Sequence, residues 1–421
     1  MTTTIELLPG VTLRCHPDRR FKQGCLSFAM IRPMCAEEAA LNALIPAVLL
    51  RGTRKHPDLR SITLQLDDLY GASMGTQVRR VGDYQTMGLY CGFLEDRFAL
   101  SGDEILRPMV DFLREVLLEP VLENGVFSAA FVESEKKNLI ATIESELNDK
   151  RAYAMGKMLR TMCKADSYGI PRLGNKESVA EITPESAWQH YRKCLRESPI
   201  HIFYVGSAPA EQVAQLLKPL LENVERNYVN LPNQTPFCDA GGADLVEEMD
   251  VAQGKLCMGY VTPVTNRDEG FVPMQMMNTI FGAGMTSKLF MNVREKMSLC
   301  YAIGSGYYGT KGIVTVSAGI DFDKEQLVRD EIARQLDAIR NGNISDEEMN
   351  AAREALLSSL RGTHDSPGSI EGYYATAALS GMKLTPAAYM DAVRAVTKEQ
   401  VAEAAQQLRL HTTYFLKGVS Q

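Results

Sequence analysis

The chain has 421 residues, of which 45% are hydrophobic and 23% are charged. Such a composition is typical of a soluble globular protein with two or more domains, and it excludes a disordered or fibrous chain. The 45 Lys and Arg residues against 52 Asp and Glu residues give a net charge of −7, without any basic run longer than two residues. A nucleic-acid partner is not expected, because its electrostatic footprint is missing.

The cysteines and the N-terminus point to a cytoplasmic protein. Nine cysteines are spread singly, and none forms a C-x-x-C pair. This pattern predicts free, mostly buried thiols in a reducing compartment. The first ten residues do not form a basic segment followed by an apolar one, and the longest apolar run, Ala43–Leu50, is far shorter than a bilayer span. We therefore expect a cytoplasmic location and no membrane partner.

In the first half of the chain, strand-like and helix-like patterns alternate. The predicted elements are a hairpin of Thr4–Leu8 and Val11–Cys15, a strand Cys25–Pro33, helices Ala36–Leu50 and Asp58–Tyr70, paired strands Gly75–Arg80 and Tyr84–Phe93, and long amphipathic helices Asp103–Leu118 and Ser128–Met158. A helix that begins at Ile182–Glu185 then leads to a closing strand, His201–Gly206.

The same order returns in the second half. Its predicted elements are a strand Lys255–Pro263, helices Glu269–Phe281 and Thr286–Lys296, strands Leu299–Tyr308 and Ile313–Ile320, long helices Lys324–Arg340 and Ser345–Leu360, and a closing strand His411–Gly418 after a helix that starts at Val396–Glu399. In both closing helices a Thr stands at the expected N-cap and a Glu in the first turn.

This repetition predicts a duplicated α+β protein rather than a doubly wound parallel sheet. We expect two similar halves, each an antiparallel sheet with long helices packed on it, facing each other across a cavity. The predicted boundaries are 1–225 for the N-terminal half, 226–254 for a linker rich in Pro and Gly, and 255–421 for the C-terminal half.

The sequence carries little catalytic chemistry of its own. No two of the six histidines lie within ten residues of each other, whereas a helical zinc site needs two at i and i+4. A site assembled from distant histidines is the alternative that spacing leaves open. The segment Gly304–Gly309 spells G-x-G-x-x-G, but the strand-like run Ile313–Ile320 follows it where a dinucleotide site needs a helix. We therefore expect no metal and no cofactor.

Three motifs carry a family resemblance. The longest is Phe281–Phe290 (FGAGMTSKLF), continued by Val293–Lys296 (VREK) and Leu299–Tyr301; the others are Leu173–Val179 and Arg51–Thr53. In their order along the chain these motifs resemble those of the pitrilysin/insulinase-like zinc peptidases, which include the mitochondrial processing peptidases. The resemblance covers nearly the whole chain and includes its duplication.

The resemblance also shows what is missing. Active members of the family carry His-x-x-Glu-His just before the (Lys/Arg)-Gly-Thr turn. Counted back from that turn, the corresponding positions here hold Ala43, Pro46 and Ala47, and the place of the third ligand holds Thr142. The resemblance therefore implies a chain that has lost both histidine ligands, the general base and the third ligand, and that cleaves no peptide alone.

One feature of the active family remains. The Arg and Tyr that bind the substrate backbone in the family match Arg294 and Tyr301, although Ser298 stands where the family commonly has Gly. The competing interpretation is an Arg in a helix-end ion pair and a Tyr that packs in a sheet.

Two functions from different classes follow. In the first, the chain pairs with a zinc-bearing homologue, as a heterodimer, and helps to bind its peptide substrate; a homodimer is the alternative assembly. In the second, it is a scaffold or peptide-binding protein with no role in proteolysis, including one linked to modification of translation elongation factor P. A third class, an independent enzyme with other chemistry, is supported by no residues.

Overall fold

The computed structural model describes residues 2–146 and 148–419. In this range the strands are β1 (Thr3–Leu8), β2 (Val11–Pro17), β3 (Gln23–Pro33), β4 (Ser73–Val81), β5 (Tyr84–Leu94), β6 (Leu122–Glu123), β7 (Val126–Phe127), β8 (Ile200–Gly206), β9 (Ala243–Met249), β10 (Gly254–Val261), β11 (Ala302–Tyr308), β12 (Ile313–Ile320) and β13 (Arg409–Gly418).

The α-helices of the same range alternate with these strands. They are α1 (Ala36–Leu49), α2 (Leu59–Asp68), α3 (Leu106–Leu118), α4 (Ala129–Ser145), α5 (Lys150–Met162), α6 (Lys176–Ala180), α7 (Pro184–Glu197), α8 (Ala210–Leu217), α9 (Phe271–Phe281), α10 (Glu325–Arg340), α11 (Asp346–Gly362), α12 (Pro367–Ser380), α13 (Pro386–Ala395) and α14 (Lys398–Gln406). A π-helix spans Leu289–Lys296, and short 3₁₀ turns lie at Asp96–Phe98, Leu100–Gly102, Ser167–Gly169, Lys218–Leu220 and Phe322–Lys324. No described helix is long and apolar enough to cross a membrane.

Two mixed sheets form the frame of the molecule. Among the described residues the first sheet has the strand order β1-β2-β8-β3-β5-β4, and the second has the order β11-β12-β10-β13-β9. Strand β3 corresponds to β10 at the centre, flanked by β5 and β12 on one side and by β8 and β13 on the other. The predicted α+β fold with two similar halves is confirmed.

The sheets differ from the prediction in one respect. Strand β2 lies parallel to β8, and β9 lies parallel to β13, while the other pairs within the two sheets are antiparallel. Each sheet is therefore mixed rather than purely antiparallel. Hydrophobic patterns predict which face of a strand is buried, but they do not reveal the direction of a neighbour that is distant in sequence.

The predicted long helix Ser128–Met158 is two helices, α4 and α5. Asp149 caps the second of them, because its side chain accepts hydrogen bonds from the backbone N–H groups of Arg151 and Ala152, each at 3.0 Å. Such a cap starts a new helix. The N-caps expected at Thr183 and Thr397 are confirmed, and each forms a reciprocal capping box.

The chain forms two compact units that do not follow the contiguous boundaries expected from the sequence. The first contains Met1–Glu144, Ile170–Asn233 and His364–Leu379, and the second contains Ser145–Gly169, Gln234–Thr363 and Ser380–Gln421. Helix α5, from the N-terminal part of the sequence, thus belongs with the second sheet. Helix α12, from the C-terminal part, belongs with the first.

The predicted linker 226–254 is irregular only in part. Residues 227–242 form no helix or strand, but β9 follows at once and pairs with β13. This part of the chain therefore completes the second sheet as its edge strand.

The core of the first unit lies between its sheet and its helices. Buried side chains of β2, β3, β5 and β8 pack there against α1, α3, α7 and α8, with Leu13, Phe28, Leu113 and Val213 among the fully buried ones. This core fixes α1, the helix that carries three of the four degenerate metal positions.

Candidate peptide-binding site

Helix α1 carries the positions that correspond to the family's zinc ligands. Ala43 and Pro46 are buried and Ala47 is half-buried, so these positions offer neither a metal donor nor a general base. The helix runs without interruption through Pro46, whose missing N–H leaves the carbonyl of Asn42 without its usual helical partner. An apolar helix has thus replaced a ligand-bearing one.

A buried polar network that sequence reasoning missed holds this helix. The Asn42 side chain is fully buried and donates to Gln85 Oε1 at 2.9 Å, while its Oδ1 lies 2.7 Å from His190 Nε2. Gln85 in turn donates to the carbonyls of Ala39, at 3.0 Å, and Arg172, at 2.7 Å. These four partners satisfy the buried amides and tie α1 to β5 and α7. Burial lowers the pKa of the His190 imidazole to about 4, so it is neutral at pH 7.

The position of the third family ligand holds no metal donor of the needed kind. Thr142 lies exposed on α4, and its hydroxyl donates to the Asn138 carbonyl at 2.9 Å. The nearby carboxylate of Glu144 pairs with Lys176 at 2.5 Å. Within residues 2–146 and 148–419, no three His, Cys, Asp or Glu side chains cluster as a metal site. The residues present do not fit the family's zinc ion.

The VREK motif lies on the π-helix, whose end has an unusual backbone. The N–H of Met297 bonds to the carbonyl of Asn292, five residues back, at 3.1 Å. Ser298 follows with φ = 53°, in the left-handed region that favours glycine. This conformation explains why Gly is common at this position in the family. In this chain a serine adopts the same conformation.

The Gly-rich turn before the π-helix lies against strand β11. The Ser305 N–H donates to the Gly282 carbonyl at 3.0 Å, and a Cβ added to Gly282 would stand 2.7 Å from Ser305 Oγ. Only glycine allows so close an approach of the turn to the edge strand. The turn thereby fixes the start of the helix that carries Arg294.

Arg294 is held by weak contacts. Its side chain is 39% exposed, its Nε lies 3.6 Å from Glu295 Oε1, and its guanidinium carbon stands 4.6 Å from the centre of the Phe290 ring. An exposed ion pair at this distance contributes little to stability, and the aromatic ring mainly orients the guanidinium plane. Most donors of Arg294 remain available to a ligand.

Tyr301 is 61% exposed, which excludes the competing interpretation of a tyrosine packed in the sheet. Its hydroxyl donates to Asp321 Oδ1 at 2.9 Å, and the same carboxylate pairs with Lys324 at 2.8 Å. The hydrogen bonds from Lys324 and Tyr301 hold the pKa of Asp321 below its usual value, and the carboxylate raises the pKa of Tyr301. Asp321 had no sequence signal that could have linked it to Tyr301.

Arg294 and Tyr301 line one open groove of about 400 Å³ in the second unit. The rest of its lining is Glu295, Ser298, Leu299, Cys300, Asp321 and Lys324. The two residues that the family motif singles out therefore share a solvent-accessible surface. On this surface Arg294 lies beside Glu295, and Lys324 pairs with Asp321. The groove is large enough for a few residues of an extended peptide.

Comparison with known proteins supports the family resemblance. Residues 181–356 match the domain described as "Peptidase M16 inactive domain". The chain is 28% identical, over 97% of its length and 96% of the relative's, to the "Probable inactive metalloprotease YmfF" of Bacillus subtilis (strain 168). These matches confirm the resemblance to the pitrilysin/insulinase-like peptidases, for a chain that lacks their zinc-binding motif.

Solved structures share the fold over the whole chain. A conserved protein from Enterococcus faecalis V583 has a TM-score of 0.93 and 27% identity, with 100% of this chain and 99% of that one covered. The M16 inactive domain from Pseudomonas fluorescens has a TM-score of 0.81 at 16% identity, with coverage of 100% and 98%. At that lower identity the likeness shows the fold alone.

Proposed function

We propose that this chain is the non-catalytic partner of a zinc-bearing M16 homologue and that it contributes Arg294 and Tyr301 to the binding of a peptide substrate. The observation that carries the proposal is their exposure side by side in one groove, on a chain whose own metal positions hold Ala43, Pro46 and Ala47. A chain that has lost its metal donors but retains an accessible substrate motif is suited to act in trans.

The chemistry of the pair supports substrate positioning. The guanidinium of Arg294 is always charged and offers a rigid fork of N–H donors, which matches the carbonyl oxygens of an extended backbone. The Tyr301 hydroxyl supplies one further polar contact. In the assembled pair the partner would carry the metal motif, and this chain would hold the peptide in register with it.

The test is a matched cleavage assay of the reconstituted pair. Arg294→Ala and Tyr301→Phe should leave this chain folded and paired, while turnover falls by about a hundredfold, the size of effect seen when one transition-state donor is removed. Tyr228→Phe, a change of the same kind at a partly exposed tyrosine outside the groove, is the control and should leave turnover unchanged. Full turnover of both groove variants, with the pair intact by size, contradicts the proposal.

The scaffold function is the second candidate, and one contact favours it. Because the single hydroxyl proton of Tyr301 is donated to Asp321, that hydroxyl must change partner before it can donate to a substrate carbonyl. A protein that binds a partner without aiding proteolysis needs no such change. In that case the same assay gives a stable pair whose cleavage is indifferent to both variants.

A further inference from the structure

One face of the first sheet carries a row of polar side chains beneath helix α12. The strand register places Arg14, Phe203 and Ser27 directly opposite one another, because Arg14 pairs with Phe203 and Phe203 pairs with Ser27. The next row on this face holds His201 and Gln77, which the register aligns through Ala29 and Gly88. Residues opposite each other across a sheet share a face, so these side chains all point toward α12.

Helix α12 places one carboxylate on this face. Glu371 is 1% exposed, and its Oε1 accepts hydrogen bonds from Ser27 Oγ at 2.8 Å and from Gln77 Nε2 at 3.4 Å. Arg79 donates to both of its oxygens, with Nη1 at 3.2 Å from Oε1 and Nη2 at 2.7 Å from Oε2. This is the two-pronged geometry in which a guanidinium binds a carboxylate most strongly.

The donors of this arrangement all come from the sheet. Ser27 lies on β3, and Gln77 and Arg79 lie on β4, so strands of one sheet hold their positions whatever α12 does. Only the acceptor comes from the helix. Without Glu371, the sheet would present a positive charge and two neutral donors, which is the complement of a carboxylate.

The same face has buried polar atoms without a hydrogen-bond partner among the described residues. They are Arg14 Nη1 and His201 Nδ1. The Arg14 guanidinium stands 5.5 Å from the Phe203 ring centre, and His201 and Phe203 both line a small cavity beside Glu371. Buried polar groups without partners are uncommon in folded proteins and call for a ligand or a water.

Helices α5 and α12 each pack on a sheet that is built mainly from the other half of the sequence. Of the two, α12 is packed less tightly against its sheet. Against the second sheet, α5 contributes the buried side chains Tyr153, Ala154, Met158 and Met162, and it approaches so closely that a Cβ on Gly259 would lie 2.6 Å from Met162 Sδ. Against the first sheet, a cavity of about 20 Å³, room for one water, lies between Ala29 and α12.

The buried apolar contacts of α12 with the first sheet lie near its two ends. Ile370 and Leu379 are the buried apolar side chains that it adds to the clusters on this face. Gly381, with φ = 77°, follows the helix directly. Between them, Tyr374 packs only partly buried against the same cluster as Ile370. A permissive turn adjoins the C-terminal end of the helix.

We propose that Ser27, Gln77 and Arg79 form a carboxylate-binding site of the first unit, which Glu371 occupies from within the chain and which a peptide carboxylate occupies when α12 is displaced. The ligand is an acidic side chain or a free C-terminus, since both present the same two oxygens to Arg79. The site is separate from the Arg294 groove and does not depend on the function proposed for it.

Direct binding to the full chain tests the site. Three fluorescein-labelled pentapeptides serve as probes: one with a central glutamate and an amidated C-terminus, its glutamine twin, and a glutamine peptide with a free C-terminal carboxylate. In the Glu371→Gln variant, one of the two carboxylate peptides should bind at least about tenfold more tightly than the amidated glutamine twin. The wild-type chain should bind that peptide more weakly than the variant, because Glu371 competes.

A second variant tests the assigned donor. Adding Arg79→Gln to Glu371→Gln should remove the preference for the carboxylate peptide. Equal binding of all three peptides to Glu371→Gln overturns the proposal, as does a preference that survives the loss of Arg79. Which of the two carboxylate peptides binds identifies the source of the carboxylate.

Hydrogen exchange of the wild-type chain tests the displacement of α12 even if the variants fail to fold. Backbone amides of α12 should exchange at least about tenfold faster than those of α5, because local opening follows the number of buried apolar contacts. Equal protection of the two helices would mean that Glu371 is a permanent structural ion pair, and the proposal fails.

Discussion

The buried pair Lys311–Asp166 offers a sharp test of how the irregular segment before β9 is held. Both side chains are almost fully buried, at 0% and 1% exposure, with Lys311 Nζ 3.0 Å from Asp166 Oδ1. Lys311 also donates to Thr235, to its carbonyl at 3.2 Å and to its hydroxyl at 3.1 Å. One ammonium group thus joins the irregular segment at Thr235 to Asp166 within the second unit.

Replacing Lys311 with Met keeps an unbranched side chain that is one heavy atom shorter, and it removes the charge. Asp166 would keep the N–H bonds from Tyr168, at 2.8 Å, and Cys238, at 3.0 Å, but it would lose its cation in a buried place. Breaking one partner of such a pair costs about 3–5 kcal/mol. Because two N–H donors remain on the carboxylate, we expect about 3 kcal/mol, which corresponds to a fall in Tm of about 6–12 °C for a unit of this size.

The assay is scanning calorimetry of the purified chain, with Lys417→Met as the control. Lys417 makes the same kind of contact with Glu248 at 3.0 Å, but the two side chains are 35% and 50% exposed. That surface pair should contribute less than about 1 kcal/mol. A loss below about 1 kcal/mol for Lys311→Met, equal to the control, would refute the reasoning.

Three further predictions concern the site and its surroundings. Ser298→Gly should raise the free energy of unfolding by about 0.5–1 kcal/mol, because glycine relieves the left-handed backbone at φ = 53°; urea unfolding measures it. Wild-type stability should fall as the pH drops from 6.5 toward 4, since burial lowers the pKa of His190 to about 4 and protonation then favours the unfolded chain. In His190→Gln the free energy of unfolding should fall less steeply with falling pH, by the contribution of one bound proton. Unfolding curves at pH 7, 6 and 5 measure this. The purified chain should hold far less than one zinc per molecule by elemental analysis, because Ala43, Pro46, Ala47 and Thr142 offer no suitable donors.

Each of these has a clear contrary result. A loss of stability in Ser298→Gly would mean that the serine side chain contributes more than the backbone strain costs. An unchanged pH slope in His190→Gln would mean that the pKa of His190 is the same in the folded and unfolded chains. One tightly held zinc per chain would show a metal site built from other residues.

The general architecture could be predicted because local patterns repeat in both halves. Nearly continuous apolar runs predict β3 and β10. Thr183 and Thr397 predict the starts of α7 and α14 through the same capping chemistry. The break between α4 and α5 was missed because Asp149 interrupts a helical pattern only through its side-chain cap, which periodicity does not register.

Features that depend on distant residues could not be predicted. Ser27 and Glu371 are separated by 344 positions, and no local pattern announces that α12 belongs with the first sheet. The same applies to Asp321, whose contact with Tyr301 depends on the turn at Ser298 and on the register of β11 with β12. Arg294 and Tyr301 themselves were singled out only through the family motif, since an isolated Arg and Tyr carry no signal.

The central claim, that this chain acts with a zinc-bearing homologue, is tested most directly by mixing the two. The homologue should come from the same organism and carry His-x-x-Glu-His. Light scattering after size exclusion gives the stoichiometry, and a quenched-fluorescence peptide library gives the activity of the same fractions. The account predicts a one-to-one complex that cleaves peptides, while this chain alone cleaves none. A homologue that remains separate from this chain, or that cleaves equally well without it, would contradict the account.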